Sequence, residues 1–420
     1  MDGPQQHRAA TGSAIGFRQI YTLLLVSLIY TCHSIDRFII NVLVEPIKQE
    51  FGIGDGAAGM LTGAAAAIAF VIAALPLGWL ADRVSRRNLL SALCFGWSAF
   101  TMVSGMVANF TSLLLTRIGV TVLEAGAATS SLSLLADTFS PNRRSTAFGI
   151  FYTSTAVGAA VCFAAGGHLA HLYGWRWVFI LAGIPGIILA VILFLTVREP
   201  ARQNALEDKA SQIGLAATTR GLLADAVAVR LLFASGFAAL VHSALWTWLV
   251  SFLVRSHGLS LATAASAMAL AAGIATAIGN SVLGALADRV ARTHQRRALL
   301  VPAFTTAITV PLGMAALLVP SATGAVVLLV ALGFFIGAWP APSFAVLASV
   351  APKGAQASSM AIAQIINNVV GVGIGAPLVG LLSDSFGEAH GLRWALVIIL
   401  LFNLAASALY LAAARHKNPS

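Results

Sequence analysis

The chain of 420 residues is 58% hydrophobic and 10% charged, with a mean hydropathy of +0.87. So little polar surface excludes a soluble globular domain and leaves an all-α, polytopic membrane protein, because strands of alternating polarity, the mark of a β-barrel, are absent. The formal charge of +10 does not imply nucleic acid, since the basic residues occupy short loops between apolar runs, where they set membrane orientation.

In chain order, runs of roughly 20 apolar residues predict twelve transmembrane spans: 20–44, 55–78, 88–109, 112–136, 145–170, 175–197, 228–254, 261–286, 298–319, 323–349, 356–383 and 392–414. The first follows Arg8 and Arg18 and is far longer than a signal-peptide core, so it reads as a retained helix. Cys32, Cys94 and Cys162 fall inside spans and read as small buried hydrophobes. The one long polar connection, residues 198–227, separates an N-terminal unit (1–197) from a C-terminal unit (228–420), with six spans in each. With the N-terminus inside, about 19 of the 25 Lys and Arg fall on the inner side, about 4 outside, and Arg37 and Arg117 within spans. That bias places both termini in the cytoplasm.

The first span carries His33, Asp36 and Arg37 in an otherwise apolar run, and the fourth carries Arg117 and Glu124. A charge at that depth costs at least ~2.5–3.5 kcal/mol, so these groups need partners or water, which a lipid-facing helix does not offer. Arg117 and Glu124 are seven residues apart and share a helix face. The second half has no carboxylate to mirror Asp36, because Asp384 and Glu388 fall at or beyond a helix end. Its notable mid-span groups are His242, Trp246, Trp248, Asn280, Asn367 and Asn368.

The two halves also repeat. Gly78-Trp-Leu-Ala-Asp82-Arg83-Val-Ser-Arg86 after the second span matches Gly284-Ala-Leu-Ala-Asp288-Arg289-Val-Ala-Arg292 after the eighth, and Gly174-Trp-Arg176-Trp177 matches Gly391-Leu-Arg393-Trp394. Matches at corresponding places mean a duplicated six-helix unit. The Asp-Arg loops resemble the signature of the major facilitator superfamily. Asp36-Arg37-Phe38, Glu45-Pro46-Ile47, Glu50-Phe51, Trp97-Ser98 with Thr101, Arg117 with Glu124-Ala125-Gly126, and Gly174-Trp175-Arg176 resemble its spinster branch. Two departures stand out: Leu123 precedes Glu124 where that branch has Gly, and Cys162-Phe163 fills the Gly-Pro position of the antiporter motif in helix five.

The resemblance implies a major facilitator fold of two pseudo-symmetric six-helix halves, with helices one and four lining a central cavity. Within it, Asp36 and Glu124, with His33 one turn before Asp36, are expected to carry protons. Arg37 and Arg117 suit an anionic head group, since guanidinium presents a planar charged fork. His242, Trp246, Trp248, Asn280, Asn367 and Asn368 are expected to complete the substrate wall. Gly78, Asp82, Arg83, Arg87, Gly284, Asp288 and Arg289 are read as gating residues, with Arg83 pairing Asp137 and the aspartates facing helix N-termini of the opposite half.

The expected function is proton-coupled movement of an amphiphilic anionic lipid, of lysophospholipid or sphingoid type, by alternating access in a bacterial inner membrane. A carrier of a small organic anion or drug on the same fold is the alternative. A non-transporting sensor is the reading from another class. The expected partners are substrate, protons and membrane lipids, with no nucleic acid, metal or cofactor, in a monomer. No nucleophile–base pair or Gly-rich phosphate loop suggests an enzyme.

Overall fold

The computed structural model describes residues 16–81, 83–199, 215–292, 294–352, 355–387 and 390–416. Among them are helices and turns but no strand. A helix is the open-ended element that satisfies its own backbone hydrogen bonds in lipid. In chain order the long helices are α1 (Phe17–Phe51), α2 (Asp55–Ala81), α3 (Arg86–Ser104), α4 (Phe110–Thr138), α5 (Pro141–Tyr173) and α6 (Trp175–Thr196). A short helix, Leu215–Ala224, precedes α7 (Ala226–His257), α8 (Leu261–Ala291), α9 (Gln295–Leu318), α10 (Ala322–Val350), α11 (Ser358–Phe386) and α12 (Gly391–Ala414).

Eleven of these long helices are apolar enough to cross a membrane by length and composition. The twelfth, α3, begins with Arg86-Arg87-Asn88 and carries Trp97, Ser98 and Thr101 on its buried face. It tolerates that polarity because it packs between α4 and α6. Asparagine and serine start several helices: Asn109 accepts from the Ser112 N–H at 2.9 Å, and Ser260 and Ser321 cap α8 and α10 in the same way.

The duplication is written in the backbone. Among the described residues, positive φ occurs at Gly52 (61°) and Gly258 (65°), which end α1 and α7, and at Gly174 (83°) and Gly387 (86°), which end α5 and α11. Each pair holds equivalent positions in the two halves, and each needs the left-handed region that glycine enters without steric cost.

The halves meet along α1 with α7, α2 with α11, and α5 with α8. One continuous apolar core, including Leu43 of α1, Phe163 of α5, Leu245 of α7 and Met268 of α8, joins both halves at the end remote from the Asp-Arg loops. At the end that bears those loops the core divides in two. Leu90, Trp97 and Leu134 belong to the N-terminal half alone, and Leu231, Leu299 and Tyr410 to the C-terminal half alone. The bundle is therefore closed at one end, called outer below, and splayed at the other, called inner.

Small residues allow the closure. A Cβ on Gly63 would stand 2.5 Å from the Val372 carbonyl oxygen and 2.6 Å from Pro377 Cδ, across the α2–α11 seam. The seam also holds π-helical turns at Met60–Ala64 and Asn368–Gly375, a geometry frequent at functional positions. Gly63→Val is expected to prop the outer end open while the protein still folds. In a disulfide-trapping assay across the seam, cross-linking at the outer end should fall at least tenfold, and unchanged cross-linking would show the seam to be loose.

Candidate functional site

A cavity of about 260 Å³ lies between the halves. On α1 it is lined by Tyr30, His33, Ser34, Arg37, Phe38 and Asn41, spaced as one face of a 3.6-residue helix. Arg117, Thr121 and Glu124 add the matching face of α4. His242, Ser243, Trp246 and Thr247 of α7 form the opposite wall with Asn368 and Val372 of α11, and Leu61, Ala67 and Phe70 of α2 are apolar lining.

Four of the five expected N-terminal charged or ionisable groups meet in this chamber. The His33 Nδ1 lies 3.3 Å from Glu124 Oε1, and both side chains are at most 7% exposed. The imidazole stacks on Tyr30 at a centroid distance of 4.8 Å, which fixes the ring's plane. Arg37 is exposed in the open cavity, whereas Arg117 is buried and donates from Nη2 to the Asp36 backbone carbonyl at 2.7 Å. The Arg117 guanidinium also sits 5.6 Å over the Phe179 ring.

Asp36 departs from the expectation of a group facing the chamber. It is 1% exposed and is not part of the cavity wall; its carboxyl turns toward Thr101 of α3 and toward Arg117 and Glu124 of α4. The reason is helical geometry: Asp36 stands about 100° round α1 from Arg37, on the side away from Ser34 and Phe38, and so falls beyond the edge of the chamber face. Asp36 sits behind the wall, one layer deeper than Glu124.

The C-terminal wall is smaller than expected. His242, Trp246 and Asn368 line the cavity, with the His242 and Trp246 rings edge to face at 5.7 Å. Trp248 does not line it: wholly buried, it donates its indole N–H to the Ala376 carbonyl at 3.0 Å and ties α7 to α11. Two residues along from Trp246 points the ring to the far side of α7. Asn280 is exposed on α8 beside Gly337, and Asn367 is buried behind Asn368, so neither reaches the chamber.

At the inner end, Arg86 takes the partner expected for Arg83. Arg86 pairs with Asp137 and donates to the Ser133 hydroxyl at 3.1 Å, while Arg83 stacks over the Trp79 ring at 3.8 Å. Arg86 begins α3 and points into the bundle; Arg83 lies in the exposed turn. Arg87 donates to the Val197 carbonyl at 3.0 Å. Glu199 accepts from the N–H groups of Arg86 and Arg87 and from the Ser85 hydroxyl, at 3.0, 2.8 and 2.8 Å. Burial pushes its carboxyl up, but the Arg87 N–H, the Ser85 hydroxyl and the Arg86 N–H outweigh that and hold it below the usual carboxylate range. Gly78 and Gly284 border open space, and Asp288 and Arg289 are exposed. Asp82 and Glu388 lie outside the described residues.

The outer end carries an ion-pair lock that sequence reasoning missed. Arg255, near the end of α7, donates to Glu45 of α1 at 2.8 Å and to both Asp55 oxygens at 2.8 and 2.9 Å. Lys48 also pairs with Asp55, and Ser383 of α11 donates to Asp55 at 2.7 Å. Asp384 of α11 accepts from the Asp55 and Gly56 N–H groups at 2.9 and 2.8 Å, capping the first turn of α2 from the other half. The available signal was opposite charge at the outer ends of spans one, two, seven and eleven, with Lys48 and Arg255 facing Glu45, Asp55 and Asp384.

Two related six-helix halves enclosing a polar chamber, pinned shut at one end and splayed at the other, define a membrane transporter rather than an enzyme. The chain belongs to the Major Facilitator Superfamily, which it matches over residues 26–373. It is 28% identical to an MFS-type efflux pump of Mycolicibacterium smegmatis over 99% of this chain and 94% of that one. It is 33% identical to protein spinster homolog 1 of Rattus norvegicus over 56% of this chain, and 28% identical to the sphingosine-1-phosphate transporter SPNS2 of Xenopus tropicalis over 53%. These matches span 46% and 44% of those two relatives, about half their length. A crystal structure of a bacterial homologue of the human lysosomal transporter spinster, inward-facing and unoccupied, superposes with a TM-score of 0.87 at 28% identity, covering 97% of this chain and all of that one. The chain is thus a spinster-like member of the superfamily and an integral multi-pass membrane protein.

Proposed function

We propose that this transporter moves an amphiphilic anion, of lysophospholipid or sphingoid type, coupled to protons. The observation that carries the reading is the asymmetry of the chamber: the charged groups Arg37, Arg117 and Glu124 lie with His33 on one wall, apolar Leu61, Ala67 and Phe70 of α2 on another, and Trp246 and Val372 among uncharged polar side chains of α7 and α11 on the third. The two guanidinium groups would hold the charged head, and Phe70, Leu61, Trp246 and Val372 would meet the hydrocarbon. Glu124, sharing a 3.3 Å contact with His33 at the cavity edge, and Asp36 behind it would take up and release the proton. The named substrate of the Xenopus tropicalis relative, a phosphorylated sphingoid lipid, supports this choice.

In this reading the units 1–197 and 228–420 rock about the chamber, linked by 198–227. Lys and Arg bias supports cytoplasmic termini in a bacterial inner membrane. The splayed end is then cytoplasmic and the shape inward-facing. Asp288, Arg289 and Arg87 would close that side in the opposite state, while Arg255, Asp55 and Asp384 part. A monomer suffices, because the chamber is built from one chain.

A small organic anion or drug is the second reading, favoured by the modest cavity of about 260 Å³ and by the efflux-pump relative. Competition separates the two. In proteoliposomes, affinity across a series of lysophosphatidic acids is expected to rise up to about fourfold per added methylene, the equivalent of ~0.8 kcal/mol of burial. Affinity independent of chain length, with strong competition by short carboxylates, would overturn the lipid assignment.

A further inference from the structure

We infer that the proton reaches Asp36 through the interior of the N-terminal half, between α1, α3 and α4, and not through the substrate chamber. The inference rests on the proton-coupled reading above and adds a route to it. Asp36 is sealed from the chamber and faces α3 and α4. Along the same interior, toward the inner end, Ser91 and Trp97 of α3 and Ser130 and Ser131 of α4 are buried polar groups whose side chains have no hydrogen-bonding partner, as are Ser98 and Thr101 of α3 nearer Asp36. Several other hydroxyls of these helices are instead satisfied by their own backbone. Thr31, Ser104, Thr121 and Thr138 each donate to the carbonyl four residues back, the usual way a helix satisfies a hydroxyl.

The placement is regular. On the inner part of α4, beyond the turn at residues 125–126, Ser130 is seven residues before Asp137, which pairs with Arg86 at the inner mouth. Seven residues rise about 10.5 Å, a gap that two or three waters span. A hydroxyl not committed to its own backbone can accept a proton on a lone pair and release another from its O–H, so the chain of transfers leaves each relay group unchanged. Leucines flank the seam, with Leu90 and Leu134 fully buried, which confines the path to a single file. The charged and titratable groups around Asp36 are Arg117 and Glu124 from α4, Cys94 from α3 and Cys162 from α5, with Cys32, His33 and Arg37 on its own helix. Among these, Glu124 and His33 are the branch point with the chamber.

The test compares side chains of equal size. Ser91→Val with Ser131→Val removes both hydroxyls, and Ser91→Thr with Ser131→Thr restores them at the same volume. Proteoliposomes holding a pH-sensitive dye report proton uptake driven by palmitoyl lysophosphatidic acid, and binding of that lipid is measured separately at fixed pH. The inference expects uptake at least tenfold slower in the valine pair, rescue in the threonine pair, and equal lipid affinity in all three proteins. Wild-type uptake rates in a well-folded valine pair, or equal slowing in both pairs, would overturn the route and leave proton coupling standing. A wild-type protein that moves no proton would overturn both.

Discussion

Arg255→Ala is expected to swing the resting protein toward an open outer end. One guanidinium satisfies Glu45 of α1 and Asp55 of α2 from the other half, so its loss leaves two carboxylates facing each other with Lys48 alone between them. The Arg255 side chain is 23% exposed, which discounts the penalty of a fully buried pair. Charged hydrogen bonds of this kind are worth about 1.5–3 kcal/mol, or a tenfold to hundredfold change in the equilibrium. The sign follows from where the bonds lie: they join the halves at the outer end, so breaking them destabilises only the outer-closed state. A cysteine at Thr247 should become at least tenfold more reactive to a membrane-impermeant thiol reagent applied outside. Arg255→Lys should keep part of the closure, since an ammonium can pair with Asp55 but cannot fork to both acids.

Glu124→Gln should remove proton-linked transport, with uptake against a lipid gradient falling at least a hundredfold. The amide keeps the shape of the side chain and its 3.3 Å approach to His33 but cannot titrate. Exchange of labelled for unlabelled lipid across the membrane needs no net proton movement, so it should persist. Asp36→Asn should share the loss of proton-driven uptake, and with Arg37 left in the cavity lipid affinity should change less than threefold. Loss of exchange as well in both variants would assign the carboxylates to substrate binding instead.

The architecture was readable because membrane helices announce themselves by hydropathy, and because the Lys and Arg bias checks their number. The repeat of Gly78 to Arg86 at Gly284 to Arg292 exposed the duplication that Gly52 and Gly258, and Gly174 and Gly387, repeat in backbone angle. The chamber's charged wall was readable too: intramembrane ionisable groups have few other uses. What sequence could not resolve was rotation about each helix axis. Asp36 and Arg37 are adjacent in sequence yet face different layers, and Trp246 and Trp248 point to the chamber and to α11. The same ambiguity moved the Asp137 contact from Arg83 to Arg86. The outer lock escaped for a different reason, since its members come from four helices and two halves, and nothing in the order of the chain brings Arg255 to Asp55.

All of this depends on the charged face of α1 and α4 meeting water from each side in turn. Thr121, which lies between Arg117 and Glu124 on the cavity wall, is the position to probe. The native cysteines Cys32, Cys94 and Cys162 are buried and leave a low background. With Thr121→Cys in sealed vesicles of known orientation, an impermeant thiol reagent should react from the inner side in the resting protein. When Arg255→Ala is added, the same cysteine should react from the outer side. A cysteine at that position silent from both sides, in a protein that still transports, would contradict the account.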